Sequence, residues 1–377
     1  MDAQTETLDQ LYKTYKVDWY RCPIDRARFR ELGRRSDVQG ALQAGGHLAL
    51  AACTGTLTYY FFVNQVWIGF ALALFAHGTV TSHFIFGNHE LGHGTVFRAR
   101  WLNAAFLRIY SLLTWWNFHE YAMSHTYHHS FTLHPHADQE VVLPKPPSLA
   151  PLYLLQLFTF NVTGGFESRG VINIIGGPIK TAMGKYSVMS TPGWLEALYV
   201  NRPELRKKAV NWARLILVFH LGFAAVSFAL GLWFLPVVVS LGPCIANWLR
   251  YFVGVPMHCG LRDDVPDFRK CVRTITLDPL SSFLYWRMNW HLEHHMFASI
   301  PCYNLKKLHQ AVAHDMPEPR TLVGAWREMR QTWRRQHEDP SYQFDTPVPT
   351  TADNTAEHNP EAASMGEIAP PELRAGA

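Results

Sequence analysis

The chain has 377 residues, 48 % of them apolar and 14 % aromatic but only 17 % charged, with 20 histidines and a formal net charge of +4. An ordinary soluble domain carries about 25 % charged residues, and this apolar content excludes a disordered or collagen-like chain. The mean hydropathy of −0.07 nevertheless has the value of a soluble protein, so two unlike populations of sequence are averaged in it.

In chain order, the N-terminus "MDAQTETLDQ" lacks the basic stretch and apolar run of a secretory signal. Residues 1–45 carry Arg21, Arg26, Arg28, Arg30, Arg34 and Arg35 and read as N-terminal interfacial helices. Between Asp37 and Glu90 lie 52 residues without a charged side chain. A bilayer-crossing helix takes about 20 residues, so two spans are expected, near 46–63 and 66–86, with a tight turn at Asn64-Gln65. The segments 102–118 and 148–166 adjoin Trp115, Trp116 and several prolines and read as interfacial or half-buried helices. The stretch 167–208 is Gly-rich and shows no clear period. A further 35 uncharged residues between Arg214 and Arg250 imply two more spans, near 209–230 and 232–253, turning near Gly231.

From Glu338 to Ala377 eight acidic residues stand against one basic, Arg374. This Pro/Ala/Thr/Glu-rich segment of net charge −7 reads as a disordered tail, and it leaves a body of +11. The expected organisation is therefore 1–45, a membrane domain over 46–337, and a tail over 338–377. Arg98, Arg100, Arg108, Arg206, Lys207, Lys208, Lys306 and Lys307 flank the hairpins, whose turns are uncharged. By the positive-inside rule both termini and the long connections are cytoplasmic, at an inner membrane. No Lys/Arg run argues for nucleic acid. Six cysteines without a CxxC argue against a disulfide framework or a thiolate metal site. The fold class is an all-α integral membrane bundle.

With the spans placed, eight histidines gather on one membrane face. His89 and His93 lie in "NHELGH", His125, His128 and His129 in "SHTYHH", and His291, His294 and His295 in "NWHLEHH". Residues i and i+4 share a helix face and can bind one ion. In HxxHH the first two histidines are about one turn apart, which would leave the adjacent third pointing toward a second ion. Two triads and a pair thus suit two ions, and all-imidazole donors suit Fe, Zn, Cu or Ni. His258 in "VPMHCGL" stands at the same level, as a ninth ligand or an interfacial residue. Metal-bound imidazoles need their second nitrogen held, for which Glu90, Asp138, Glu140, Asp264 and Glu293 are candidates. Asn247, costly in an apolar span unless paired, is a sixth. His119, His134 and His136 lie near the second cluster and outside it. His47, His77, His83 and His220 read as structural, and His309, His314, His337 and His358 as solvated. "HELGH" also fits HExxH, in which Glu90 would be the general base of a zinc hydrolase. A metal carrier without catalysis is a further reading.

The three boxes HxxxH, HxxHH and HxxHH, ordered around two hairpins and followed by "PCYNL", resemble the membrane fatty acid desaturase superfamily of non-haem di-iron oxygenases. The resemblance spans roughly 46–316. It implies two Fe ions held by the box histidines in a cytoplasmic helical cap, O₂ as co-substrate, and C–H cleavage on a lipid or acyl substrate. The leading expectation is a fatty acid desaturase forming a C=C bond. The alternative is a di-iron hydroxylase or monooxygenase acting on an alkane, carotenoid or small molecule, demethylation and decarboxylation included. No electron-transfer module is fused to the chain. A ferredoxin, rubredoxin or b-type cytochrome with its NAD(P)H reductase is therefore implied, and the basic body would attract an acidic donor.

Overall fold

The computed structural model describes residues 8–141, 148–165 and 167–349. Short capped helices open the chain: α1 (Leu8–Thr14), α2 (Arg26–Leu32) and α3 (Asp37–Gly40). The Asp25 carboxylate accepts from Arg28 N and the Ser36 hydroxyl from Gln39 N, filling donors that a helix start leaves open. A π-turn over Ala41–Gly45 then joins α3 to α4 (Gly46–Val63) without a break.

Helices α4 and α5 (Trp67–Ser82) form a hairpin closed at Asn64-Gln65. There Gln65 takes φ 57° and the Asn64 amide donates to Tyr60 O. Small residues let the neighbours approach. A Cβ on Gly55 would lie 3.0 Å from the His77 ring, and one on Gly78 would lie 2.1 Å from Ile245 O. The chain bends at His83 and continues as α6 (Phe84–Gly92), so the second apolar segment ends inside the first histidine box. Trp67–Gly92 and α12 (Pro203–Ala229) are, among the described residues, the two helices long and apolar enough to cross a membrane. Helix α4 has the length expected of a span, but His47, three Thr and two Tyr dilute it.

The expected fourth span is not one helix. Helix α13 (Leu235–Leu241) gives way to a 3-10 turn at Gly242–Cys244, and the backbone is extended at Ile245 before α14 (Trp248–Gly254). Pro243 has no N–H for the helical ladder, and the freed groups are met by the 159–161 segment. Asn161 N donates to Cys244 O and Ala246 N to Thr159 O, both at 2.8 Å, and Phe160 pairs antiparallel with Ile245. Just after α12, Gly231 takes φ 73°, where the turn was expected.

Between the hairpins run α7 (Arg100–Leu113), α8 (Phe118–Phe131), α9 (Pro151–Phe158), α10 (Val171–Ala182) and α11 (Trp194–Tyr199). Helix α7 packs along α6, and α10 along α12. A C-terminal layer follows: α15 (Phe268–Cys271), α16 (Pro279–Leu284), α17 (His291–Met296), α18 (Leu305–Val312) and α19 (Leu322–Glu338). Two short strands, β1 (Ile275–Thr276) and β2 (Arg320–Thr321), pair in parallel with Ile275 opposite Arg320. Tyr110, Trp286, Phe297, Leu305 and Leu308 are fully buried in the core where this layer meets α6 and α7.

The tail expected to be loose from Glu338 begins as packed chain. Phe344 bridges Leu261, Asp345 binds Arg262 and Lys270, and the Lys270 ammonium donates to Thr346 O. Alternating apolar and charged contacts hold this piece, which composition alone does not reveal. The rest of the acidic segment, His358 included, lies outside the described residues.

Candidate metal centre

Helices α6, α8 and α17 each bring one histidine box to a common interior, and His258 enters from the 3-10 turn Val255–Met257 after α14. The nine imidazoles fall into two groups. His89, His93, His125, His129 and His294 form one; His128, His258, His291 and His295 form the other. Within each group the available ligand atoms lie within 4.8 Å of one another, close enough to hold one metal ion. Both HxxHH boxes divide differently from the expected pattern. The first and last histidines (125 with 129, 291 with 295) stay together, and the middle one (128, 294) crosses to the other group. At about 100° per residue, i+4 falls about 40° past a full turn and i+3 about 60° short of one.

Five of the outward ring nitrogens are anchored. His125 Nδ1 donates to Glu140 at 2.9 Å, His128 Nδ1 to Asp138 at 2.8 Å, and His89 Nδ1 to Glu90 at 3.0 Å. His258 Nδ1 meets Cys271 O at 3.1 Å and His295 Nδ1 meets the Thr132 hydroxyl at 3.1 Å. Glu90 also stands 3.5 Å from His294 Nδ1. A ring that donates from Nδ1 presents a bare Nε2 lone pair, and these lone pairs converge. His93 and His125 Nε2 are 3.2 Å apart, and His291 Nε2 lies 3.0 Å from His258 Nε2 and 3.1 Å from His295 Nε2. The buried Nε2 atoms of His89, His129 and His294 have no hydrogen-bond partner among the described residues. Facing lone pairs repel unless a cation lies between them, so this donor set fits metal ions.

Burial first, and mutual repulsion second, hold the His125, His129, His294 and His295 imidazoles well below their usual pKa, in the neutral form that ligates metal. His258 is pushed down to about 3 for the same leading reason. His128 is the exception: burial lowers it, but Asp138 and Glu140 together outweigh burial and raise it.

Of the six further candidates, Glu90, Asp138 and Glu140 stand behind the rings. The other three do not. Glu293 is fully buried but turns to His309 Nδ1 at 2.6 Å and the Thr274 hydroxyl at 2.6 Å. Asn247 donates to Ser168 O and accepts from Asn161, so it secures a loop. Asp264 takes φ 48° and is fixed through its backbone N–H to Leu133 O, with no described contact to the rings. His309, read as solvated, is therefore a partner of Glu293. It follows Leu305 by four residues on a helix whose Leu305, Leu308 and Val312 are buried, a spacing that marks its face. Tyr121, stacked on His125 with centroids 4.6 Å apart, was also missed. It lies one helical turn before His125, which is the available signal.

His47, His77 and His220 each bond a backbone carbonyl, of Val80, Val238 and Leu112 respectively, as structural histidines do. His134 and His136 pack on Tyr15, outside both groups. Glu90 bonds the back of a ring that its neighbours turn inward. A zinc-hydrolase general base would instead have to face water on the ion.

No curated protein matches the chain. The fatty acid desaturase family model matches residues 65–326, a range that takes in all three boxes and His258. Helical architecture, paired histidine groups and this match agree: the chain belongs to the fatty acid desaturase family.

Proposed function

We propose that the protein is a membrane-bound, O₂-dependent di-iron oxidoreductase that desaturates a lipid acyl chain. The observation that carries this reading is the division of nine imidazoles into two adjacent groups whose ligand atoms converge, while carboxylates, a carbonyl and a hydroxyl hold the Nδ1 atoms of five of the rings. Iron at both groups, His89, His93, His125, His129 and His294 at one and His128, His258, His291 and His295 at the other, would supply O₂ activation and C–H cleavage. Asp138, Glu140 and Glu90 fix ring orientation and raise donor strength. Tyr121 covers His125, and burial of the surrounding side chains keeps bulk water away.

Membrane insertion is supported by apolar faces with no protein cover: Leu57 on α4, Ile68 and Leu72 on α5, and Val218, Leu221 and Phe228 on α12. A hairpin of α4 with α5 and α6, and another of α12 with the broken α13–α14 arm, make four crossings. The broken arm is tolerable at membrane depth because its backbone groups are paired inside the protein. The basic residues flanking both hairpins favour cytoplasmic termini and a cytoplasmic site. Electrons would come from a separate reductase-fed ferredoxin, rubredoxin or b-type cytochrome.

The test is elemental analysis of active, purified protein together with His128→Ala and His294→Ala variants. Iron in the active protein and loss of both iron and turnover in the variants are expected; turnover without iron sinks the proposal. Product mass under ¹⁸O₂ separates outcomes, since loss of two hydrogens is desaturation and gain of one labelled oxygen is hydroxylation.

A further inference from the structure

A cavity of about 80 Å³ lies beside the metal centre, lined among others by Trp116, Asn117, Glu120, Arg169, Asn173 and Ser187. It holds roughly several waters' worth of space, which suits a polar head group better than an acyl chain. Its wall reaches the histidines in two steps. Trp116 and Tyr121 have ring centroids 5.1 Å apart, and Tyr121 stacks on His125. Val188, exposed and on the cavity lining, with Ile174, Pro178 and Met189 gives it an apolar side.

Arg169 is the unusual group in this cavity. Its guanidinium lies 4.0 Å from the Trp116 ring and Nη2 donates to Thr114 O at 3.2 Å, but the buried Nη1 has no hydrogen-bond partner among the described residues. Among the described residues, the one carboxylate lining the cavity, Glu120, is already engaged by Arg206 and Thr181, each at 2.9 Å. Burial, with Arg250 as a second like charge, pushes the Arg169 guanidinium down to about 9. A half-buried cation whose inner Nη1 meets no partner among the described residues, held by a ring face and one carbonyl, lacks the anion that normally compensates it.

The surrounding loop is built to hold this side chain. Asn161 and Asn247 both donate to Ser168 O, the carbonyl just before Arg169. A Cβ on Gly170 would lie 2.5 Å from Gly164 N, so two glycines allow the loop to close on itself. Arg169 itself takes φ 53°, a left-handed conformation that is costly for a side chain of this size and that recurs at ligand clamps.

We propose that Arg169 anchors an anionic head group, the carboxylate or phosphate at one end of an apolar substrate, and so sets which carbons reach the histidines. The assignment of that ligand as substrate rests on the oxidoreductase reading above; the anchor itself does not. The test measures binding of oleate, dioleoyl phosphatidic acid and methyl oleate to the full-length protein in zwitterionic nanodiscs, without turnover. At least one of the two anionic probes should bind tenfold or more tightly than methyl oleate, and which one does identifies carboxylate or phosphate as the natural anchor chemistry. Arg169→Gln should remove the difference while leaving methyl oleate unchanged, and Arg169→Lys should restore part of it. Equal binding of all three probes by the unmodified protein overturns the proposal, as does discrimination retained in Arg169→Gln. The unmodified comparison needs no variant, so a misfolded substitution cannot shield the idea. Iron content of the same preparation is read separately, so a failed metal assignment and a failed anchor give different results.

Discussion

Asp138→Asn tests whether the carboxylates behind the rings act as more than fillers. Asp138 is fully buried and serves three donors: Oδ2 accepts from His128 Nδ1 and Leu133 N, and Oδ1 accepts from Glu140 N. An asparagine keeps the shape but has one acceptor oxygen. With that oxygen toward His128, its NH₂ faces the Glu140 N–H and leaves a buried donor unmet, a cost of about 1–3 kcal/mol. Loss of the anion also weakens His128 as a donor. Partners of this kind are worth about 10–100-fold in metal affinity, or about 1.4–2.8 kcal/mol at 1.4 kcal/mol per decade. Iron release to a competing chelator measures the affinity, and thermal unfolding followed by circular dichroism measures the stability. Burial alone would raise the Asp138 carboxyl, yet His128 and two backbone N–H groups hold it below its ordinary value. Its contribution is therefore complete above the usual carboxylate pKa and is lost as the pH falls through the folded-state value. Iron affinity within twofold of the unmodified protein, with unchanged unfolding, would refute the reasoning.

Gly78→Ala should destabilise the fold by about 1–3 kcal/mol or more, because the new Cβ meets backbone at Ile245 rather than a movable side chain; thermal unfolding in detergent reads it. Thr321→Ala removes the side-chain oxygen that accepts from Gly324 N at the start of α19, and the same assay should show a loss of about 1 kcal/mol. Truncation after Glu338 should lower the unfolding temperature by removing the Phe344, Asp345 and Thr346 contacts, whereas truncation after Pro349 should leave it unchanged; equal behaviour of the two would contradict the packing described. Removing metal from purified protein with a chelator should loosen α6, α8 and α17 together, seen as faster amide hydrogen exchange in all three helices.

Much of the centre was legible because its chemistry is concentrated in residue types with few other uses. Eight imidazoles in three short runs, at helical spacings and next to apolar stretches, leave little else to build. The turns at Asn64-Gln65 and Gly231 were legible because two uncharged runs were too long for one span and had to fold back. The broken arm was not, because hydropathy registers how apolar a window is and is blind to backbone direction. Pro236 and Pro243 inside that window were the signal available. Nor could sequence separation say which carboxylate faces a ring. Asp138 and Glu140 follow α8 through a turn that carries them back over it, whereas Glu293, flanked by box histidines, points away from them. The pairing inside HxxHH turned on how far i+3 and i+4 each miss a full turn, about 60° short against about 40° past, a distinction finer than a count of turns.

The crossing of the middle histidines has a consequence for assembly. Helix α8 gives two rings to one group and one to the other, and α17 does the reverse. Each helix is thus a tie bar between both groups, so the spacing of two bound ions would be set by one turn of rigid backbone rather than by either ion's own preference. An ion arriving at either position would align two helices and, with them, a ring already aimed at the vacant neighbour. Loading should be cooperative, favouring empty and doubly filled protein over the half-filled form.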